Sequence, residues 1–444
     1  MSELSALNSA LIPWKQAISA APQIMLGLSG GMDSILLLKL LSEQVDTKLI
    51  QAVHVNHGLS DSADQWQQFV EGYCRQLGVD FYAEKVQLVV SGEGVEAAAR
   101  DARYAVFERR LKKDGLLFLA HHADDQVETV VYRLLRGSGS KGLAGMPESR
   151  PLGLGQLIRP LLAYSKEAIH REANNRDLKW IEDESNLDDR FDRNYIRNQV
   201  IPVIAKRWPA YPQAVMHSAG LNDQANQLSQ DLALEDLARL DVLDERAGWS
   251  ISMDGLSNLS VLRQKNVLRY WSEIKNLPAP SSKIINEILS SVVAARQDAS
   301  PEVIWRRQCW ARFQSRLYLL RCQNKNIQQD QSMYWDMQHP LVLADKNRLD
   351  AQRAKGNGLV AAAESIEIRY RQGGERCKPQ GRDRSSSLKK LLLEYQLPPW
   401  LRDRVPLFYV QDQLVAVGDL WVCEGWGAKP EESGMEIHWQ VDSV

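Results

Sequence analysis

The chain has 444 residues, 44 % of them apolar and 25 % charged, with a net charge of −2 at neutral pH. That length exceeds one typical core and suggests about three domains, while so balanced a charge excludes a global field for polyanions, so any nucleic-acid surface must be a local patch. No apolar run reaches membrane-spanning length, Glu3 precedes the first basic residue, Lys15, and the five cysteines are scattered without a C-x-x-C pair; these features point to a cytoplasmic protein with no membrane partner, no disulfide framework, no zinc ribbon and no cysteine-ligated cluster.

The first stretch that carries chemistry is Leu28-Ser29-Gly30-Gly31-Met32-Asp33-Ser34, where apolar Ile24-Met25-Leu26 hands over to a helical pattern over 35–41. Strand, glycine turn and helix start, in that order, aim free backbone N–H groups at an anion. A turn merely capped by Ser or Asp is the plain alternative. From 24 to 120 short apolar runs alternate with amphipathic ones: strands over 48–55, 80–89 and 116–120, helices over 64–77 and 95–113. Such alternation predicts an α/β domain whose parallel sheet is covered on both faces, with ligands beyond the carboxyl ends of its strands. Two polar clusters fall at such ends, Asn56-His57-Gly58 and His121-His122-Ala123-Asp124-Asp125-Gln126-Val127-Glu128-Thr129.

Asp124 is the expected N-cap of a helix running to Arg136. Asp125 and Glu128, three apart, then share one face, where they either hold and deprotonate an ammonium or form a solvated helix start. Gly137-Ser138-Gly139-Ser140-Lys141-Gly142 has the letters of a dinucleotide fingerprint but follows a helix, so it reads as a flexible loop. Residues 157–162 read as a short extended piece, 166–175 as a helix, and 195–202 as a helix with Arg193 and Arg197 on one face, paired with the acidic run upstream or forming a fork for a carboxylate or phosphate.

Trp208-Pro209-Ala210-Tyr211-Pro212 marks the expected edge of a first domain, 1–210. From 213 to 295 helices explain the pattern without a strand, with Val215, Leu221, Leu228, Leu232, Leu234, Leu237 and Leu240 as its main apolar positions and further helices over 256–276 and 284–295. Over 302–321 the period becomes two, with Cys309, Ala311, Phe313, Leu317 and Leu319 on one face and Trp310, Arg312, Arg316 and Tyr318 on the other. That second face suits either RNA or edge protection. A helical domain over 211–322, a polar linker over 323–366 and a small α+β domain over 367–444 complete the expected layout. Residues 367–404 carry ten basic against five acidic side chains; this local excess suits a phosphate backbone, or is a basic surface without a partner.

Residues 29–34 match the S-G-G-x-D-S signature of the PP-loop ATP pyrophosphatases. Together with His54-Val55-Asn56-His57-Gly58-Leu59, 96–104, 121–129, 194–202, Gly373-Gly374-Glu375-Arg376, Leu388-Lys389-Lys390 and Pro399-Trp400-Leu401-Arg402-Asp403-Arg404, the chain resembles the bacterial tRNA(Ile)-lysidine synthetases. The resemblance implies that ATP adenylates C2 of the wobble cytidine of a CAU-anticodon isoleucine tRNA and that free L-lysine displaces AMP. It implies ATP binding by Ser29, Gly30, Gly31, Met32, Asp33, Ser34 and His57, Mg²⁺ held by Asp33, and catalysis by Asp33, Asp125 and Glu128. Lysine would meet Asp125 and Glu128, with Arg103 or Arg193 at its carboxylate; tRNA would meet Arg371, Arg376, Lys378, Arg382, Lys389, Lys390, Arg402 and Arg404. A homodimer is compatible with it. Another PP-loop tRNA enzyme, such as a cytidine thiolase, is the competing reading.

Overall fold

The computed structural model describes residues 7–58, 60, 62–88, 95–184, 188–296, 299–321, 333–343, 345–360 and 366–441. Of the positions named above, Glu3, Leu59, Cys322 and the Glu96 side chain lie outside the described residues, as do the end of the strand expected over 80–89 and parts of the expected linker. The chain forms two compact units, residues 1–228 and 229–444.

The first unit is built on strands β1 (Ile24–Gly27), β2 (Ile50–Asn56), β3 (Asp80–Lys85), β4 (Leu116–Phe118), β5 (Ser149–Leu152) and β6 (Gly155–Ile158), in the order β3-β2-β1-β4-β6-β5. All neighbours pair in parallel except the β5–β6 hairpin. Ile24, Met25 and Leu26 are buried to nothing, as expected of a strand covered on both faces. Helices Met32–Gln44 and Lys166–Asn175 pack together, and the first buries Ile35, Leu36, Leu37, Leu38, Leu40 and Leu41. Because β2 leaves β1 on one side and β4 on the other, the connection after β1 opens at the point where strand order reverses. Of the extended piece expected over 157–162, residues 157 and 158 end the second strand of a hairpin and 160–162 form a turn; the hairpin's first strand, β5, contains Pro151 and escaped the pattern.

In the second unit, β7 (Leu243–Glu245), β8 (Gly248–Ser252), β9 (Glu302–Trp305), β10 (Gln308–Phe313) and β11 (Arg316–Arg321) form one antiparallel sheet, β7-β8-β11-β10-β9. This corrects the all-helical reading of 213–295: β7 and β8 interrupt it, and β8 pairs with β11, a partner about seventy residues on that local periodicity cannot reveal. Helices Val261–Ile274 and Ser282–Glu287 cover the sheet around Trp271, Ile285, Ile288 and Trp310. On the helix Tyr211–Ala238, Leu221, Leu228, Leu232 and Leu234 are exposed, whereas Leu237 and, just past its end, Leu240 enter the core.

The two-faced strand expected over 302–321 is also corrected. It is three strands, and the tight turn at Gln314-Ser315 pairs Trp310 with Leu319 and Arg312 with Leu317. Cross-strand partners point to the same side, so the turn inverts the parity that a straight strand would keep. Trp310 is therefore fully buried, edge-on to Trp271 with ring centroids 5.6 Å apart. Arg312 donates to the carbonyls of Val293 and Ala295, Arg316 to Asp241 and Ser250, and the Tyr318 ring meets Trp400. The inverted parity thus divides Trp310 and Arg312 from Arg316 and Tyr318, and all four are spent on contacts within the protein rather than gathered on one RNA-facing surface.

Residues 333–360, expected to connect, instead contribute β12 (Met333–Trp335), β13 (Leu341–Val342), β14 (Arg348–Lys355) and β15 (Leu359–Val360). With β16 (Ile366–Arg369) and the later strands β19 (Leu407–Val410), β20 (Gln413–Val417), β21 (Trp421–Val422) and β22 (Ser433–Gln440) they form sheets β12-β16-β19-β20-β21 and β13-β14-β22-β15, while β17 (Arg376–Cys377) and β18 (Ser386–Ser387) form a separate two-stranded sheet. Trp335, Leu349 and Leu359 enter the same core as Phe408 and Trp439. A polar average hid six buried residues among those described, Trp335, Met337, Leu343, Asn347, Leu349 and Leu359.

Candidate active site

After β1 the chain turns on Gly30, at φ +94°, where a Cβ would lie 2.6 Å from Ile181 Cδ1 and 2.9 Å from Val70 Cγ1, so glycine is required twice over. The Gly30 carbonyl accepts from the Ile181 N–H at 2.9 Å, which ties the loop to the segment after Trp180. Gly31 is the N-cap of Met32–Gln44, and no side chain caps that helix. Its first amides face the loop mouth, where the macrodipole favours an anion. The loop stiffens itself: the Gly30 N–H donates to Ser34 Oγ (3.2 Å), the Gly31 N–H to Ser29 Oγ (3.3 Å), and the two hydroxyls lie 3.1 Å apart. At the end of β2, buried His54 donates through Nδ1 to the Leu28 carbonyl at 2.8 Å, and Asn56 accepts from the Gly58 N–H at 2.9 Å. Burial, reinforced by Arg103 and His54, drives His57 down to about 4, so it is neutral at physiological pH.

The end of β4 meets this loop. The helix Ala123–Leu135 is capped not by Asp124 but by His122, whose Nδ1 faces the Asp125 N–H at 3.4 Å while the Asp125 carboxylate accepts from the His122 N–H at 3.1 Å. Reciprocal capping of this kind satisfies both orphan donors. Asp124 instead accepts from the Lys166 N–H at 2.7 Å, joining two helix starts. His122 Nε2 lies 3.7 Å from Asp33 Oδ2 and 3.5 Å from Asp125 Oδ2. Burial lifts Asp33 above the ordinary carboxylate range, opposed by His122 and Lys166 and reinforced by Asp125. Burial would lift Asp125 too, but His122, Arg193 and His121 overcome it and hold that carboxyl low.

Asp125 and Glu128 do share a face, and arginines occupy it. Arg197 grips Glu128 at 2.5 and 2.7 Å, Arg193 Nε reaches Glu128 at 3.3 Å, and Arg193 Nη2 reaches Asp125 at 3.4 Å. The acidic partners are thus across the crevice rather than in the run just upstream. These arginines sit where helix Asp192–Tyr195 passes through a π-turn, Ile196–Val200, into Ile201–Arg207, a local bulge of the kind common at functional sites. Buried Arg159, just past β6, donates to His121 Nδ1 (3.3 Å) and the Pro147 carbonyl (2.7 Å). Burial, opposed by Asp125 and aided by Arg159 and Arg103, drives His121 down to about 3. The sequence reading did not single out Arg159 or Lys166 as functional; Arg159 follows a strand's carboxyl end, the signal that flagged the histidines. The expected loop 137–142 ends in a helical turn, Ser140–Leu143, whose Gly142 carbonyl accepts from Arg133 at 2.9 Å.

Three family models match in order: a PP-loop domain over residues 6–204, the TilS substrate binding domain over 251–318, and the TilS substrate C-terminal domain over 366–439. The chain is 36 % identical over 436 residues to tRNA(Ile)-lysidine synthase of Coxiella burnetii, covering 97 % of this chain and 96 % of the relative. It belongs to the tRNA(Ile)-lysidine synthase family. Relatives of the same name from Legionella pneumophila strain Lens (38 % over 408 residues, 91 % of this chain and 92 % of the relative) and Yersinia pestis (36 % over 450 residues, 97 % of each) agree. The expected class, an ATP-dependent tRNA-modifying ligase on a PP-loop fold, thus stands.

For a synthase of this family a cation beside the phosphates is a natural question. Asp33 Oδ1 is buried and accepts no hydrogen bond, an orphaned hard donor that suits Mg²⁺. No cluster of three or more His, Cys, Asp or Glu placed to hold a metal occurs among the described residues, so the remaining ligands would come from the nucleotide. The thiolase alternative has little to build on: Cys74 is the sole cysteine in residues 1–228, and burial pushes its thiol up to about 12. No described helix is long and apolar enough to cross a membrane.

The expected tRNA contacts fall in the second unit and differ in what they touch. Lys389 and Lys390 are exposed on the helix Leu388–Glu394, whose Leu388, Leu391 and Leu392 are buried. Arg376 is exposed and donates to the Ser385 carbonyl. Lys378 pairs with Glu424, Arg382 with Glu394 and Arg371 with Asp403. Arg402 donates to the Leu397 carbonyl and Arg404 to buried Asp345, so these two hold the fold together.

Proposed function

We propose that this chain joins free lysine to C2 of the wobble cytidine of a CAU-anticodon isoleucine tRNA. The cytidine O2 attacks the α-phosphorus of ATP, the bond to the β-phosphate oxygen breaks, and pyrophosphate leaves. The lysine ε-ammonium first gives a proton to a carboxylate and through it to solvent; the free amine then attacks C2, the C2–O bond breaks, AMP leaves with the bonding pair, and the nitrogen sheds a further proton to solvent.

The observation that carries this reading is the meeting, at one crevice, of an uncapped PP-loop helix with the Asp33–His122–Asp125 cluster. The first amides of Met32–Gln44, with Ser29 and Ser34, suit the departing pyrophosphate. His57, neutral, suits a nucleotide face; Mg²⁺ held by Asp33 would neutralise phosphate charge. Asp125, kept ionised by its neighbours, suits the lysine ammonium, and Arg193, with Arg103 nearby, suits its carboxylate. Glu128 acts through Arg193 and Arg197, which it holds over the crevice.

The test is incubation of the purified chain with unmodified tRNA, labelled lysine and Mg-ATP. Lysine-dependent label on the RNA with equimolar AMP and pyrophosphate is expected; ATP turnover without label transfer would overturn the reading.

A further inference from the structure

At the opposite end of the sheet from the PP-loop, about 13 Å away along β1 at 3.3 Å per residue, lies a cavity of about 400 Å³. It is lined by Pro22, Gln23 and the starts of β2 and β3, together with Lys48, Arg109, Arg110 and Lys112. Four basic residues thus line it beside Asp80, the sole acidic residue of the lining. Asp80 pairs with none of them: its Oδ2 accepts from the Gln51 amide at 2.8 Å, Gln51 Oε1 faces Gln23 Nε2 at 3.4 Å, and Gln23 Oε1 accepts from the Lys112 backbone N–H at 2.8 Å. This amide chain satisfies the carboxylate without neutralising a cation.

Arg109 pairs with Glu84. Among the described residues Lys48, Arg110 and Lys112 form no ion pair. The Arg110 Cζ lies over the Tyr82 ring, 3.4 Å from its centroid, and the Nε finds no acceptor. A guanidinium held in place by an aromatic face, with its fork unspent, is preorganised for an oxyanion. Three uncompensated cations in a concavity focus a positive field, and the volume is that of small-molecule sites, roughly 300–1,000 Å³. The PP-loop reaction uses none of these residues.

We propose that this cavity is a second anion site, which takes a phosphate group of a mononucleotide-sized ligand between Arg110 and Lys112, with Lys48 at its rim. The phosphate comes either from a free nucleotide or from the RNA backbone, and two measurements on the full chain separate these sources. Equilibrium dialysis with labelled AMP is run on the natural chain and on Arg110→Ala with Lys112→Ala. One fewer AMP per chain in the variant, with tRNA affinity unchanged, supports the site with a free nucleotide as its occupant.

Equal AMP counts, but tRNA binding at least tenfold weaker and a salt slope reduced by about 1 to 2, support it with RNA as its occupant. Equal AMP counts and equal tRNA binding overturn it. If the variant melts at a lower temperature, Lys48→Ala with Lys112→Ala, both exposed, repeats the comparison, and no change in either measurement overturns the proposal.

Discussion

Arg197 holds Glu128 by a two-point fork, Nε to Oε1 at 2.5 Å and Nη2 to Oε2 at 2.7 Å, on a carboxylate that is almost wholly buried. Removing one partner of such a pair strands the other charge. Arg197→Ala is expected to cost about 3 kcal/mol, read as a lower denaturation midpoint with an unchanged slope. Arg197→Lys keeps the charge without the fork and is expected to raise KM for lysine more than it lowers stability. A loss under about 1 kcal/mol for Arg197→Ala would show that Glu128 reaches solvent.

Asp33 reads differently, because its Oδ1 accepts no hydrogen bond and its Oδ2 lies 3.7 Å from His122 Nε2. Asp33→Ala is expected to abolish label transfer while leaving tRNA affinity unchanged in filter binding. Retained transfer within tenfold of the natural chain would remove Asp33 from the reaction.

The burial of His57 has a pH signature. Its folded pKa, about 4, lies below the ordinary 6.5, so between these values the unfolded chain binds a proton that the folded chain refuses. Stability is therefore complete above pH 6.5 and falls as the pH drops toward 4. His57→Gln is expected to flatten that part of the melting-temperature profile; an identical slope would place the titration elsewhere.

Lys389 and Lys390 project from a helix whose apolar face is buried, so Lys389→Ala with Lys390→Ala removes charge without touching the core. Weaker tRNA binding is expected, with a salt slope smaller by about 1 to 2. Unchanged affinity at every salt concentration would mean that this helix does not meet RNA.

Trp310 tests the corrected face of the hairpin. Trp310→Ala opens a cavity beside Trp271 and is expected to cost about 3–5 kcal/mol, seen in urea unfolding. The salt slope of tRNA binding should stay as it was, and a smaller slope would restore this face as an RNA surface.

The sequence by itself determined the parallel sheet of the first unit, the PP-loop and the carboxylate helix, because each rests on local rules. Apolar runs covered on both faces make strands, Gly30 permits a positive φ, and a three-residue spacing puts Asp125 and Glu128 on one side. Only the tertiary structure decided what those groups meet. The arginine fork on Glu128, the Asp124 contact with Lys166, Arg159 on His121 and the burial of Trp310 all join residues distant in the chain. In each, a hydrogen bond, a charge or a turn's parity selects among partners that periodicity leaves equivalent.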